Sequence, residues 1–336
     1  YEICACLVGS EMCIRDRSAE ACTHCHACQE QCEFLKKYGI DIGDTEQLEE
    51  LAYHCFICGK CTEVCPEGID GRAYILELRR KQVEKSGGTF EKKGYGMLVK
   101  EKRDYIYRNY RHAHGKSILF PGCNFPSFYP KTIRKIVNEL KKYGIGVAYD
   151  CCGKPIAELG MESDEKRIIS RIQSELSERK IREVIMLCPN CYDFLKPKLA
   201  DVKIISIYEK LEELGIGNKN LIPEKVFLPC PDREKRELLK VIERYTAGGL
   251  TPVENVQCCG LGGCASVKEP ELAKGMGAVL KDAGERKVYS YCASCAGNLN
   301  RNGCKNVTHI LTEIMETYEK ADIRKSMVNR IKTKFM

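Results

Sequence analysis

The feature that most constrains this chain is the spacing of its cysteines: 23 of the 336 residues are cysteine, and most fall into tight groups. Cys22, Cys25, Cys28 and Cys32 stand in C-x2-C-x2-C-x3-C order, and Cys55, Cys58, Cys61 and Cys65 repeat it, with Pro66 directly after. The length excludes a small secreted disulfide scaffold, and in a reducing compartment closely spaced cysteines read as metal thiolates. The spacing lets three thiolates of one loop wrap three corners of a [4Fe-4S] cubane, while the fourth leaves on a helix toward the other cluster. By that rule Cys22, Cys25, Cys28 and Cys65 hold one cubane, and Cys55, Cys58, Cys61 and Cys32 hold a second. Structural zinc instead favours two separated ligand pairs.

Ten more cysteines form an internal repeat. Cys123, the pair Cys151 and Cys152 followed by Gly153, and Cys188-Pro-Asn-Cys191 match Cys230, the pair Cys258 and Cys259 followed by Gly260, and Cys292-Ala-Ser-Cys295. From lone cysteine to pair is 28 positions in both halves; from pair to C-x-x-C is 36 and 33. A duplicated unit of 107 residues is the economical explanation. In each copy a short apolar strand, Ser117 to Phe120 or Val226 to Leu228, runs into the lone cysteine. An amphipathic helix follows, with Ile133, Ile136, Val137 and Leu140, or Leu238, Val241, Ile242 and Tyr245, on one face. Pro130 and Gly144 bracket the first of these helices. Further strands end at Tyr149, Leu187 and Tyr291. Strand and helix in alternation predict parallel βαβ units with the cysteines at the carboxyl ends of the strands. Adjacent cysteines can share a metal only across a sharp turn, which Gly153 and Gly260 permit. Five thiolates per unit is one more than a cubane or a structural zinc uses.

The segments between the first two motifs, EFLKKYG and DTEQLEELAYH, suit helices, with Asp44 or Thr45 as an N-cap, and another helix runs from Asp70 to Lys85. Cluster loops joined by helices resemble the α-helical ferredoxin domain of succinate dehydrogenase-like and heterodisulfide reductase-like electron-transfer subunits. His24 and His26 lie inside the first motif without the partner motif of a Rieske site, so they read as solvated or hydrogen-bonding. The doubled C…CCG…C-x-x-C pattern behind two ferredoxin motifs resembles the CCG cysteine-rich proteins, typified by the catalytic iron-sulfur subunit of heterodisulfide reductase. Relatives serve glycolate oxidase, lactate oxidation, anaerobic glycerol-3-phosphate dehydrogenase and thiol:fumarate reductase systems. The resemblance runs from Ala21 to about Tyr318. It implies an α-helical ferredoxin-like N-terminal domain followed by two repeated α/β, parallel-sheet, Rossmann-like CCG domains.

Carried over by position, the resemblance makes Cys123, Cys151, Cys152, Cys188 and Cys191 ligands of a first centre, and Cys230, Cys258, Cys259, Cys292 and Cys295 ligands of a second. Each would be a noncubane [4Fe-4S] cluster, with zinc the alternative in one unit. Cys151, Cys152, Cys258 and Cys259 are then the candidate catalytic positions. The chain departs from the pattern at Phe227-Leu228-Pro229-Cys230-Pro231, where many relatives place a histidine and an aspartate before the cysteine, and the lone-cysteine-to-pair spacing is short for the family. Cys264 and Cys304 fall outside it and read as buried free thiols.

The division expected is a ferredoxin-type domain over 18–88, a basic linker over 89–115, and CCG domains over 116–222 and 223–336. The leader 1–17 resembles translated sequencing adapter, so Cys4, Cys6 and Cys13 carry no function. The formal charge of +7 does not argue for nucleic acid, because a cubane on four thiolates carries about two negative charges. From Arg79 to Lys116 there are 12 Lys or Arg against four Asp or Glu, a solvated strap or a dock for an acidic redox partner. The tail from Arg324 is basic and reads as a frayed end. No glycine motif for flavin or nicotinamide is visible, so hydride chemistry would need a flavoprotein partner.

The function implied is that of an oxidoreductase subunit relaying single electrons through two cubanes to CCG centres that reduce a small-molecule disulfide. The alternative is an electron-transfer subunit of a flavin-dependent 2-hydroxy-acid or glycerol-3-phosphate dehydrogenase complex, and a third reading is a zinc module for nucleic-acid or protein binding. Flavoprotein or other redox subunits are the expected partners. The expected location is cytoplasmic, with any membrane association made through a partner.

Overall fold

The computed structural model describes residues 19–90, 92–282 and 286–336; the leader with Cys4, Cys6 and Cys13 lies outside the described residues. Before Ser117 the described residues carry helices and turns but no strand element. Helices Glu33–Tyr38 and Thr45–Glu50 fall where the sequence placed them, the first stopped by Gly39 at φ +65°. Asp44 precedes Thr45 but turns its carboxylate back onto the Asp41 N–H at 2.6 Å instead of capping the helix. Gly71–Lys85 is capped by Asp70, whose Oδ1 accepts from the Ala73 N–H at 3.0 Å.

Two four-stranded parallel sheets follow. Strands β1 (Ser117–Phe120), β2 (Gly146–Val147), β3 (Glu183–Met186) and β4 (Lys203–Ser206) lie in the order β2-β1-β3-β4. Strands β5 (Lys225–Phe227), β6 (Thr251–Pro252), β7 (Val288–Ser290) and β8 (Val307–His309) repeat that order as β6-β5-β7-β8. Strand β2 stops at Val147, short of the expected end at Tyr149; Tyr149 makes only an antiparallel bridge to Asn109. Residues 117–120 pair in register with 183–186.

Alternate side chains of β1 and β3 enter different cores, as the period of two requires. Leu119 and Ile185 join Ile133, Ile136 and Leu140 of helix Pro130–Lys141, in a core continuous with that of the second sheet. Ile118, Phe120, Val184 and Met186 face Ile168, Ile172 and Leu176 of helix Glu162–Glu178, in a core continuous with Phe34, Leu48 and Ile75 of the helical region. The first sheet is thus the middle layer, sharing one face with each neighbour.

Arg79, midway along Gly71–Lys85, is fully buried. Its guanidinium donates to the carbonyl oxygens of Ala52 and Cys55 in the helical region at 2.8 Å, of Glu158 in the first repeat at 2.7 Å, and of Gly263 in the second at 2.7 Å. It also lies 4.8 Å from the Tyr53 ring centroid. Gly160 makes the close approach that this requires: at φ +85°, a Cβ there would stand 2.5 Å from the Arg79 carbonyl carbon.

Two expectations fail. The segment 89–115 is not a solvated strap, because it forms helix Gly96–Lys102 and buries Tyr95, Tyr105 and Tyr110, which its charge pattern had masked. The basic tail is not frayed. It forms helix Ser326–Thr333, held by Asn109 Nδ2 donating to the Thr333 carbonyl at 3.0 Å and Asn329 Nδ2 donating to the Ser127 carbonyl at 3.2 Å.

Replacing Arg79 by Met leaves four buried carbonyls without their donor, so a loss of about 3–5 kcal/mol in unfolding free energy is expected, read as a lower denaturant midpoint.

Candidate metal centres

The helical region gathers its cysteines in two sets. Cys22, Cys25, Cys28 and Cys65 line one pocket, along with His26, Asp41 and Pro66. Positive φ at His24 (+52°) and His26 (+62°) curls this loop, and both exposed imidazoles reach Asp41, at 3.5 and 2.8 Å. Asp41 in turn accepts from the Cys28 thiol at 3.5 Å. Cys32 lies among Cys55, Cys58 and Cys61 instead. Gly71 lets its helix start against this second set, since a Cβ there would stand 2.7 Å from Cys61 Sγ.

In the repeats each lone cysteine, pair and C-x-x-C motif follows a strand end at the carboxyl edge of its sheet. The pair turns sharply, as expected, at Gly153 (φ +88°) and Gly260 (φ +77°). Cys123 interacts with Cys151, Cys151 with Cys152, Cys152 with Cys191 and Cys191 with Cys188. In the second repeat Cys292 interacts with Cys295, and Cys295 with Cys259. The repeats also meet: Cys188 interacts with Cys292, and Asn190 Nδ2 donates to Cys292 Sγ at 3.5 Å. At the far end the second repeat touches the helical region, where Cys258 interacts with Cys58, and Cys230 interacts electrostatically with both Cys58 and Cys259.

This crowding decides the acid-base state of the thiols. Burial pushes Cys28 and Cys55 up to about 11 and Cys230 up to about 12. Neighbouring thiols pull one member of three of the groups the other way. Cys58, beside Cys258, falls to about 5; Cys152, beside Cys151 and Cys191, falls to about 5; Cys292, beside Cys188 and Cys295, is also held low. Packed thiols that partner mainly one another form a soft, sulfur-only donor set, suited to iron-sulfur or zinc chemistry.

Cations that sequence reading passed over sit against these sets. Arg233 Nη2 reaches Cys230 Sγ at 3.5 Å and the Gln257 carbonyl at 2.6 Å. Lys102 and Arg330, paired with Glu101 at 2.8 and 2.6 Å, interact with Cys123. Gln257 spans two regions: its Nε2 donates to Cys32 Sγ at 3.3 Å and lies 3.6 Å from Cys58 Sγ, while its Oε1 accepts from the Glu33 N–H at 2.8 Å. Its place directly before the Cys258–Cys259 pair was the one available signal. Cys264 and Cys304 are buried free thiols, the latter donating to the Gly277 carbonyl at 3.2 Å.

Two copies of the cysteine-rich CCG domain match the chain, over residues 118–196 and 225–300. The chain carries two CCG domains and is similar to iron-sulfur proteins and to a subunit of heterodisulfide reductase. It is 24% identical over 266 residues to an uncharacterized iron-sulfur protein of Methanococcus maripaludis, covering 70% of this chain and 53% of that protein. It is 21% identical over 321 residues to one subunit of the fumarate reductase (CoM/CoB) of Methanothermobacter marburgensis, covering 78% and 62%. A subunit of the dihydromethanophenazine:CoB–CoM heterodisulfide reductase of Methanosarcina barkeri is 22% identical over 307 residues, with 78% and 75% covered. The chain thus spans 53% and 62% of the length of the first two. No solved structure matches.

Gly122 holds φ +70°, and a Cβ there would stand 3.0 Å from Cys191 Sγ. If the first repeat holds a [4Fe-4S] centre, Gly122→Ala is expected to lose that centre alone, about four iron per chain, in metal analysis of a protein with unchanged circular dichroism.

Proposed function

We propose that this chain is the electron-relaying subunit of a redox complex acting on a small-molecule disulfide. In this reading Cys22, Cys25, Cys28 and Cys65 hold one [4Fe-4S] cubane and Cys55, Cys58, Cys61 and Cys32 a second. Cys123, Cys151, Cys152, Cys188 and Cys191 hold one five-cysteine iron-sulfur centre, and Cys230, Cys258, Cys259, Cys292 and Cys295 another. Bound there, such clusters supply one-electron oxidation and reduction, so a two-electron disulfide reduction divides into single steps without a flavin in the chain.

The observation that carries this reading is the continuity of sulfur contacts. From the Cys32 and Cys58 set they pass through Cys258 into the second repeat, and from Cys292 through Cys188 into the first. The Gln257 amide and the Arg233 guanidinium stand at the first junction and Asn190 at the other, each directing a donor at sulfur. Gln257 is buried and Arg233 and Asn190 are partly so, and donors so placed favour negatively charged sulfur. Lys102 and Arg330 act likewise at Cys123.

Anaerobic reconstitution with iron, sulfide and zinc analysis and low-temperature EPR tests the reading. About 16 iron atoms per chain is the expected result for four such clusters. Eight iron atoms with zinc would refute the five-cysteine half.

Gln257→Leu removes an N–H donor from Cys32 without altering any proposed ligand. An EPR-monitored redox titration is expected to show one cubane shifted to a more negative potential and the other unchanged, because hydrogen bonds to cluster sulfur raise the potential.

A further inference from the structure

We infer that the outer face of helix Ser326–Thr333 is the docking surface for an acidic one-electron partner protein, seated over the first five-cysteine set; the inference rests on the redox reading above. This helix is inverted relative to an ordinary surface helix, which buries its apolar side. Its inner side is polar: Asn329 and Thr333 are buried, and Arg330 donates to Glu101 Oε1 at 2.6 Å and to Asn124 Oδ1 at 3.0 Å. Its outer side is apolar, with Met327 60% exposed, Val328 49%, Ile331 40% and, in the turn after it, Phe335 70%.

At 3.6 residues per turn these four fall within an arc of about 100°. Lys325 and Lys332 flank one edge of the stripe and Lys334 the other, all exposed, and no carboxylate side chain occurs from Arg324 to the end of the sequence. Met97, 76% exposed, lies one turn before Glu101, the partner of Arg330, on helix Gly96–Lys102 of the basic segment 89–115. An apolar stripe flanked on both edges by lysines is complementary to an acidic protein with an apolar contact patch.

The position gives such a partner a use. Asn124, which Arg330 holds, is next to Cys123, and its Nδ2 donates to Ser294 Oγ at 2.7 Å inside the Cys292–Cys295 motif. A protein on the stripe is separated from the first thiol set by one helix, about 10 Å across. Single electrons would pass between the partner's carrier and the metal-loaded first set, the partner losing one for each that the chain gains.

The test uses the full chain, anaerobically reconstituted, with reduced flavodoxin as an acidic one-electron donor in stopped flow. The expected second-order rate falls steeply with ionic strength. The K325E/K332E/K334E variant is expected to lower it at least tenfold and M327S/F335S at least threefold, with iron content and reduction by photoreduced deazaflavin at wild-type levels. Equal rates in variants and wild type overturn the inference, as does a rate indifferent to salt. So does binding of phosphatidylserine vesicles, or self-association in sedimentation, that is lost in the same variants while the flavodoxin rate holds. A chain that takes up no iron refutes the redox reading itself; an iron-loaded chain reduced normally by deazaflavin but blind to these substitutions refutes the docking alone.

Discussion

One buried guanidinium holds the layout of this molecule together. Among the described residues no carboxylate accepts a hydrogen bond from Arg79; it is solvated by backbone carbonyls from the helical region and from both repeats. A charge taken out of water needs such a shell, and the shell closes only when all three regions are in place. The same contacts draw the Gly262–Gly263–Cys264 segment of the second repeat onto the loop carrying Cys55: a Cβ on Gly263 would stand 2.6 Å from the Cys55 carbonyl oxygen. The nearness of Cys258 to Cys58 follows from this packing.

Electrostatics makes the sulfur-rich interior workable. Burial keeps thiols protonated, as the raised values of Cys28 and Cys55 show, and neighbouring thiolates add to the effect. Arg233 beside Cys230, and Lys102 and Arg330 near Cys123, place positive charge where the five-cysteine sets accumulate sulfur. The formal +7 of the sequence is therefore partly an internal matter. What remains on the surface is concentrated in places such as the last helix, where lysines rim an apolar stripe.

Local patterns were legible where chemistry demands a spacing. The two four-cysteine runs, the 28-residue interval before each pair, strand Ser117–Phe120 and the apolar face of helix Pro130–Lys141 all stand where periodicity and motif put them. The segment 89–115 and the tail were misjudged because both are dense in lysine and arginine, which usually marks solvated chain. Their tyrosines and asparagines, in packing and in hydrogen bonds to neighbouring backbone, decide otherwise. Arg79 and Arg330 gave no sign in the sequence, and Gln257 only its place before the cysteine pair, since each acts on groups 24 to 229 positions away.

By itself the sequence determined the spacing of the cysteines, their repetition, and the duplicated parallel βαβ unit, because spacing and hydrophobic period are properties of the chain read along its length. Which set faces which was left to tertiary structure. The two repeats set Cys188 against Cys292, and the second repeat, not the first, sets its Cys258 against the helical region. That order depends on how three surfaces share buried cores and one buried cation, and such contacts join residues whose separation along the chain carries no periodic mark.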